Sequence, residues 1–323
     1  MSGSTEPRPV QPLAPRVLTR WAGPSRWQRI EAAVVPGLLF ACASVTILTT
    51  AGIVVVLGVE AIEFFHKSGI GLGAFLFGTR LNPEAGRFGI LPLIWGTLVV
   101  AVGSCLIALP IGLLSAIYLS EYAPRGVRSV LKPTLELLAG VPTIVYGLLA
   151  ILLVTPLLRA ALAPFGARVE TFNALSACIV VGVMIIPLVS SLSEDVLSAV
   201  PRGLREAAYG LGATKFETAT QVVLPAGLSG VAASFILAVS RAIGETMAVV
   251  LAAGRRPQIS LNPLTSIETM TAYIVAVIGG DSAAQDSPEF LSLFAVGMVL
   301  FVITLSLNIL SGIVLRRYRE VYN

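Results

Sequence analysis

The chain has 323 residues, of which 55% are hydrophobic and 12% are charged. A water-soluble globular protein carries roughly 25% charged residues, so this chain has too few charges to cover a surface that faces water. The formal net charge of +4 needs no nucleic-acid partner to explain it.

The chain begins with a segment that has no apolar run. Its first 24 residues include five prolines. A secretory signal peptide would need an apolar region close to the start. We therefore expect residues 1–30 to form a disordered tail. The remaining residues, 31–323, are expected to form a single membrane domain, for the reasons given next.

Long charge-free runs predict the membrane spans. Five runs of 22 to 33 uncharged residues separate successive charged residues. A helix needs about 20 residues to cross the hydrocarbon core, and only helices or closed barrels satisfy their backbone there. A sixth stretch is long enough but contains Arg241 and Glu245. The fold class is therefore all-α membrane protein with six transmembrane helices, at about residues 32–59, 92–120, 135–158, 171–192, 228–254 and 290–315.

Basic residues predict the orientation of these spans. With six spans, the termini and the second and fourth loops share one side, which carries 14 lysines and arginines. The opposite side carries 7. Because cytoplasmic loops are enriched in Lys and Arg, we expect both termini in the cytoplasm.

The third predicted span contains the stretch "ELLAGVPTIVYG", residues 136–147. Gly140 and Pro142 should bend or break the helix there, which membranes tolerate where the backbone faces protein or a cavity. Glu136 is interpreted as an acid favoured by the helix dipole. Thr143 and Tyr146, with Ser240 of the fifth span, are candidates for lining a path, but the sequence does not fix which way these helices face.

The loop at about residues 193–227 predicts two short helices joined by a tight turn. Pro201 can open the first helix, and Gly210 and Gly212 end it by allowing left-handed backbone. Thr214 and Glu217 have the spacing of a capping box that starts the second helix. The apolar residues of this turn, which include Leu211 and Phe216, are more than a solvated connector needs, so we expect a docking surface.

The fifth predicted span carries two charges close to its middle, in "SRAIGETMAV". Arg241 and Glu245 are four positions apart, so a continuous helix would place them on one face, about 6 Å apart along its axis. One hypothesis is an ion pair within the helix. The other is a pair facing a water-filled path, which we favour because charges inside a membrane are usually functional.

The loop also resembles a known sequence pattern. "EAAYGLGATKFETATQVVLP" is similar to the EAA loop of ABC importer permeases, with Val222 where isoleucine is usual. The residues that match the pattern are Glu206, Ala207, Ala208, Gly212, Leu224 and Pro225. The resemblance implies a type I permease fold in which this turn is the coupling helix that inserts into a groove of the nucleotide-binding subunit.

Three further stretches resemble the PstC family of phosphate permeases: "LSEYAP", "ELLAGVPTIVYG" and "SRAIGETMAVVLAAG". The sister family PstA reads closer to "GETAPL" where this chain has "GETMAV". The resemblance covers about residues 88–317. It implies a multi-pass subunit of the bacterial inner membrane that moves inorganic phosphate with Arg241 and Glu245. The implied partners are a PstA-like sister permease in a heterodimer, a PstB-like ATPase dimer and a PstS-like phosphate-binding protein.

Other functions stay open at this point. The same architecture would serve sulfate or molybdate, and an ATP-independent anion channel is a second alternative, which the predicted docking turn disfavours. The chain has no P-loop, H-E-x-x-H or G-x-S-x-G motif, and its single histidine, His66, lies in a predicted loop. Cys42, Cys105 and Cys178 lack metal-ligand spacing. We therefore expect no catalytic site, cofactor or metal, and no nucleic-acid partner.

Overall fold

The computed structural model describes residues 26–280 and 287–317, with side chains described for residues 34–280 and 287–313. The predicted tail lies outside the described residues up to position 25. From Arg26 onward the chain is helical, so the predicted boundary at residue 30 lies inside a helix. The all-α fold class is confirmed in the described part of the chain.

Helices of very different length follow one another. The first half contains α1 (Arg26–Ser68), α2 (Leu72–Phe77), β1 (Leu81–Asn82), β2 (Arg87–Phe88), α3 (Leu91–Ile117), α4 (Arg125–Ala139), α5 (Thr143–Leu149) and α6 (Thr155–Leu162). The second half contains α7 (Ala174–Ala199), α8 (Arg202–Gly210), α9 (Lys215–Glu217), α10 (Leu224–Ala226), α11 (Leu228–Gly244), α12 (Met247–Ala253), α13 (Met270–Ile278) and α14 (Pro288–Arg317). Single π-helical turns extend α3, join α5 to α6 and join α9 to α10.

Five of the described helical segments are long and apolar enough to cross a membrane. They are residues 34–68, 91–122, 143–165, 174–199 and 288–313. A sixth crossing results if α11 is counted with the segment 215–226, to which it is bent by 73°. Five or six crossings agree with the prediction, but several boundaries move.

The third span starts later than predicted. Residues 125–139 form the separate helix α4, and the crossing begins only at Thr143. The break at Gly140 and Pro142 is confirmed. Because Pro142 lacks an N–H and disfavours helical backbone in the preceding residue, the helix cannot continue through it. Glu136 therefore lies on α4, and the prediction that it opens the span is wrong.

The fourth span is longer than predicted, because α7 continues to Ala199. Glu194 and Asp195 lie within this helix and pair with side chains of α4. Val200 has extended backbone before Pro201, which ends the helix. The loop predicted over residues 193–227 is thus shorter, and we call residues 202–226 the elbow.

The fifth span is not one helix from 228 to 254, as predicted. α11 ends at Gly244, Glu245 has extended backbone, and α12 starts at Met247. Glycine weakens the helix at this point, and the Glu245 side chain bonds to a backbone amide three residues on, which competes with helical pairing.

The connection between α12 and α14 contains a helix that the sequence did not predict. α13 is only nine residues long, and Met270, Ala272 and Tyr273 on it are buried. Its first turn is capped by the Thr269 side chain, which accepts the Ala272 N–H at 3.2 Å. Met270 N–H donates to Thr97 Oγ1 of α3 at 3.0 Å. These contacts fix α13 against the spans.

The main core lies where α3, α7, α11 and α12 meet. Its fully buried members are small or aliphatic, which lets these helices approach one another closely. They include Ala108, Ala177, Val181, Ile185, Ala238 and Ala248. A second core joins the end of α1, the β1–β2 hairpin and α13, with Phe64, Phe75, Phe88 and Ile90 buried in it.

Candidate coupling and translocation sites

The elbow has the two-helix form predicted for it, but the prediction of left-handed backbone at Gly210 is wrong, because Gly210 is the last residue of α8 and has no positive φ. α8 ends in a turn in which the Leu211 N–H donates to the Ala207 carbonyl at 3.1 Å and the Ala213 N–H donates to the Ala208 carbonyl at 3.1 Å. Between them Gly212 has φ of +88°, a conformation that side chains other than glycine rarely adopt. The elbow therefore needs glycine at position 212.

The predicted capping box that starts the second arm is confirmed. The Thr214 N–H donates to Glu217 Oε2 at 2.8 Å, and the Glu217 N–H donates to Thr214 Oγ1 at 3.3 Å. The backbone and side-chain hydrogen bonds from Thr214 lower the pKa of Glu217. The carboxylate is therefore ionised at neutral pH and holds the start of the arm in place.

The tip of the elbow is apolar and exposed. Leu211 is 91% exposed and Phe216 is 68% exposed. Of the residues that match the EAA pattern, Glu206, Ala207, Gly212 and Pro225 are exposed, Leu224 is half-buried and Ala208 is buried. Such a surface is typical of a docking site.

Arg205 of α8 ties the elbow to the ends of two spans. Its Nε lies 3.2 Å from both carboxylate oxygens of Glu121, and its Nη2 lies 2.8 Å from Glu121 Oε1. Glu121 belongs to the π-helical turn that ends α3. Arg205 also donates to the carbonyls of Leu197 and Val200 at the end of α7, at 2.7 and 2.6 Å. We call the pair of Arg205 and Glu121 the latch.

The latch is shielded from water, with the two side chains 15% and 6% exposed. A multiply bonded guanidinium–carboxylate contact of this kind is stronger and more directional than a surface ion pair. A displacement of the elbow would therefore be passed to the ends of α3 and α7.

A second charged cluster fixes α4 to α7. Glu194 is fully buried and accepts hydrogen bonds from Arg128, Lys132 and Ser198. Lys132 also pairs with Asp195. Burial of its ammonium opposes the charged form, but the hydrogen bonds to Asp195 and Glu194 outweigh burial and raise the pKa of Lys132. The charged form of Lys132 is therefore favoured, and the cluster holds α4 across the end of α7.

The two charges of the fifth span are separated by the break between α11 and α12. Arg241 lies in the last turn of α11 and is exposed, and it has no hydrogen-bond or ion-pair partner within residues 34–280 and 287–313. Glu245 is 7% exposed, and its Oε1 accepts the Ala248 N–H at 3.3 Å. The ion pair within one helix, which was the alternative hypothesis, is therefore absent from the described residues.

Glu245 has two roles in the packing of the break. Its carboxylate caps the start of α12, where unpaired N–H groups favour an anion. Its carbonyl accepts the hydroxyl of Thr271 at 2.9 Å, so α13 is bonded to the break as well. The break between α11 and α12 is therefore held in place by Glu245, whose carboxylate lies at the start of α12.

The other three candidate path residues differ in their surroundings. Tyr146 is buried, and its hydroxyl donates to the Leu138 carbonyl at 3.1 Å, across the break between α4 and α5. Ser240 donates to Asn308 Oδ1 of α14 at 3.0 Å. Thr143 is half-buried at the first position of α5. Their place along a path stays a prediction.

The comparisons with known proteins bear on both sites. Residues 108–320 match the family described as "Binding-protein-dependent transport system inner membrane component". A relative from Bacillus subtilis, the probable ABC transporter permease protein YqgH, is 33% identical over 83% of this chain and 85% of its own length. The chain belongs to the binding-protein-dependent inner membrane components.

Two further similarities refine this assignment. The permease is 34% identical to the phosphate transport system permease protein PstC of Xylella fastidiosa, over 76% of this chain and 79% of that protein. It also resembles a bacterial ABC transporter that imports the acidic polysaccharide alginate, with a TM-score of 0.64, 15% identity, and coverage of 91% of this chain and 99% of the other. The permease has the type I ABC importer fold.

Several residues of the coupling site were not found by sequence reasoning. Glu121 appears in the sequence only within the "LSEYAP" stretch, and Arg205, Arg128 and Lys132 count only among the basic residues on the side of the termini. One signal was present: a carboxylate at the end of an apolar run, as in "LSEYAP", needs a partner when it is buried. The sequence does not say which of the neighbouring arginines supplies it.

Proposed function

We propose that the permease is the membrane-spanning subunit of an ATP-driven phosphate importer, in which it forms half of the translocation path. The support for phosphate is the similarity to several PstC proteins, at 32–34% identity over 73–78% of this chain. The support for ATP-driven import is the exposed elbow, which is latched to two spans through Arg205.

The proposed orientation places the elbow and both termini in the cytoplasm. The elbow then faces the compartment that holds ATP, and its tip at Leu211 and Phe216 offers apolar surface to an ATPase subunit. The expected assembly is a heterodimer with a PstA-like permease, a PstB-like ATPase dimer below it and a PstS-like binding protein outside. The permease itself is a transport subunit without an ATPase site.

Arg241 and Glu245 are proposed as the charged residues of the path. The Arg241 guanidinium is exposed at the break in the fifth span, where the partner permease would complete a cavity. A guanidinium presents a planar fork that matches the oxygens of phosphate. Glu245 limits the positive charge at the break, and its carboxylate can accept a hydrogen bond from the P–OH group of hydrogenphosphate.

Two alternatives have different support. Sulfate or molybdate would suit the same guanidinium, but sulfate has no O–H group that could donate a hydrogen bond to Glu245. An ATP-independent anion channel would have no use for an exposed elbow that is latched to the spans.

One experiment separates these functions. The permease is co-expressed with the three partner classes, reconstituted in proteoliposomes, and assayed for uptake of radiolabelled phosphate. We expect uptake that requires ATP on the elbow side and that excess unlabelled phosphate inhibits much more strongly than sulfate does. Uptake without ATP would support a channel, and equal inhibition by sulfate would contradict the assignment of phosphate.

A further inference from the structure

A cavity of about 380 Å³ lies at the end of α12 that is remote from the elbow. This volume is within the range of ligand pockets, about 300–1,000 Å³. The cavity is lined by Glu170, Thr171, Phe172, Val250, Gly254, Arg255, Arg256 and Ser266. None of these residues was singled out as a site by the sequence.

The walls of this cavity are held by backbone hydrogen bonds. The segment before α13 runs across the ends of α7 and α12: the Ile267 N–H donates to the Ala253 carbonyl at 3.0 Å and the Ala174 N–H donates to the Thr265 carbonyl at 3.1 Å. Gly254 has φ of +88°, and a Cβ there would lie 2.2 Å from Ser266 Oγ. The cavity is therefore preformed.

Two neighbouring arginines give the cavity its charge. Arg256 Nη1 lies 3.3 Å from Glu170 Oε1, but the two side chains are 62% and 39% exposed, and such exposed pairs are weak. Glu170 Oε2 accepts the Ser266 N–H at 2.8 Å. Arg255 is exposed and makes no ion pair within the described residues. The positive charge of Arg255 acts at longer range on the buried carboxyl of Glu268, whose pKa it lowers against the larger effect of burial. Glu268 is not among the cavity-lining residues.

The position of this pair is unusual for a membrane protein. Loops outside the cytoplasm are depleted in Lys and Arg close to the spans, yet Arg255 and Arg256 directly follow α12. They are also the only basic residues in positions 255–289. Arginines on this side oppose the tendency of basic residues to stay in the cytoplasm, so their presence indicates a functional requirement.

The cavity also lies in line with the proposed path. Val250 of α12 is part of its wall, and Glu245 precedes the same half-helix. The seven residues of α12 rise about 10 Å, so an anion that leaves the cavity is one short half-helix away from the break that carries Arg241 and Glu245.

We propose that Arg255 and Arg256 form an outer receiving site for the transported oxyanion. Without the anion, the Glu170 carboxylate pairs with Arg256, and the arriving anion takes the place of that carboxylate. This inference rests on the proposed function and deepens it. The ligand class is a small oxyanion such as hydrogenphosphate, bound by the two guanidinium groups. A concave, preformed cavity suits a small anion better than the convex surface of a partner protein.

The test uses the assembled transporter with a single reporter cysteine, T171C, in a C42S background. Cys105 and Cys178 are buried and stay in place. The rates of modification by an anionic and a cationic thiosulfonate reagent are compared from the outside, without added anion and with either inorganic phosphate or sulfate. We expect the anionic reagent to be favoured about tenfold over the cationic reagent by the local positive potential, and phosphate to slow its reaction.

The variant R255Q/R256Q should lose both the preference for the anionic reagent and the protection by phosphate. R168Q is the matched control, because Arg168 is exposed, lies on the same proposed side and does not line the cavity. E170Q should lower the phosphate concentration needed for half-protection, a gain that misfolding cannot produce.

The possible outcomes are distinct. If R255Q/R256Q and R168Q behave alike, or if phosphate protection survives in R255Q/R256Q, the receiving site is refuted. Survival of protection together with loss of binding-protein-stimulated ATP hydrolysis would mean that the arginines dock the binding protein, which also refutes the site. If sulfate protects and phosphate does not, the receiving site stands and the assignment of phosphate as substrate fails.

Discussion

At the scale of single residues, the break at Glu245 separates the two charges of the fifth span, so that each has its own surroundings. They do not neutralise each other along one helix in the described part of the chain. Glu245 caps α12, whereas the Arg241 guanidinium is exposed and has no partner in the described residues. The sequence identified both residues because charges are rare in such segments. It could not locate the break, for which a single glycine was the only local signal.

The first prediction concerns Arg241. R241A should abolish phosphate uptake while the permease still inserts in the membrane, because the path then carries only the carboxylate of Glu245. R241K should also lose most activity, since an ammonium does not reproduce the fork. The double variant R241A/E245A should stay inactive. Uptake normalised to the membrane protein level measures all three.

E245Q is the matched control for the packing of the break. A glutamine keeps an oxygen that can accept the Ala248 N–H, so α12 keeps its cap while the negative charge is lost. We expect normal insertion and altered discrimination between phosphate and sulfate. Recovery of uptake in R241A/E245A would contradict the role proposed for Arg241.

The second prediction concerns Glu268, in the connection between α12 and α13. Burial raises the pKa of its carboxyl to about 7, although the positive charge of Arg255 acts in the opposite direction. An acid whose pKa is raised on folding stabilises the fold most below its unfolded value of 4.5, and this contribution is lost as the pH rises through about 7.

E268Q should remove this dependence. Thermal unfolding in detergent should show the wild type losing stability between about pH 5 and pH 8, by an amount on the order of 2 kcal/mol, while E268Q changes much less. At pH 8 the variant should be the more stable of the two. Parallel pH curves for both proteins would contradict the assignment.

At the scale of elements, the elbow is the part that the sequence predicted best. Its capping box, glycine turn and apolar tip depend on local rules, which a few residues satisfy by themselves. The latch was not predicted, because Glu121 and Arg205 are far apart in sequence and only the folded spans bring them together. The same reason explains the missed cluster around Glu194.

The third prediction tests the turn of the elbow. G212V should destabilise the elbow by at least about 1 kcal/mol, because valine must adopt a left-handed conformation there. We expect membrane insertion but loss of ATP-linked uptake. G210A, two residues away and without a positive φ, should transport normally. Equal activity of the two variants would contradict the importance of the turn.

The fourth prediction tests the latch. R205Q leaves the buried Glu121 carboxylate without its partner, and we expect ATP hydrolysis by the assembled transporter to continue while uptake falls at least about tenfold, the effect of losing roughly 1.4 kcal/mol of coupling. R202Q removes the same charge from an exposed position of α8 and should change neither rate. A parallel loss of hydrolysis and uptake in R205Q would indicate a folding role only.

At the scale of the whole molecule, the composition determined the class of protein and the approximate number of crossings. Long charge-free runs are needed to span lipid, and the exposed aliphatic side chains along the spans, such as Leu106 and Leu152, agree with this. The runs did not reveal α13. It is too short to span a membrane and is buried against other helices rather than lipid, so neither length nor amphipathic pattern marks it.

The last prediction tests the orientation of the molecule as a whole. Two exposed leucines lie at opposite ends of the spans: Leu211 at the tip of the elbow, 91% exposed, and Leu261 in the connection after α12, 87% exposed. In a C42S background, L261C should react with a membrane-impermeant thiol reagent added to intact cells. L211C should react only after the membrane is permeabilised, because basic residues concentrate on the elbow side and retain it in the cytoplasm. The remaining cysteines, Cys105 and Cys178, are buried and serve as the unlabelled background. Labelling of L211C but not L261C in intact cells would invert the topology, and would place the elbow where no ATPase subunit could reach it.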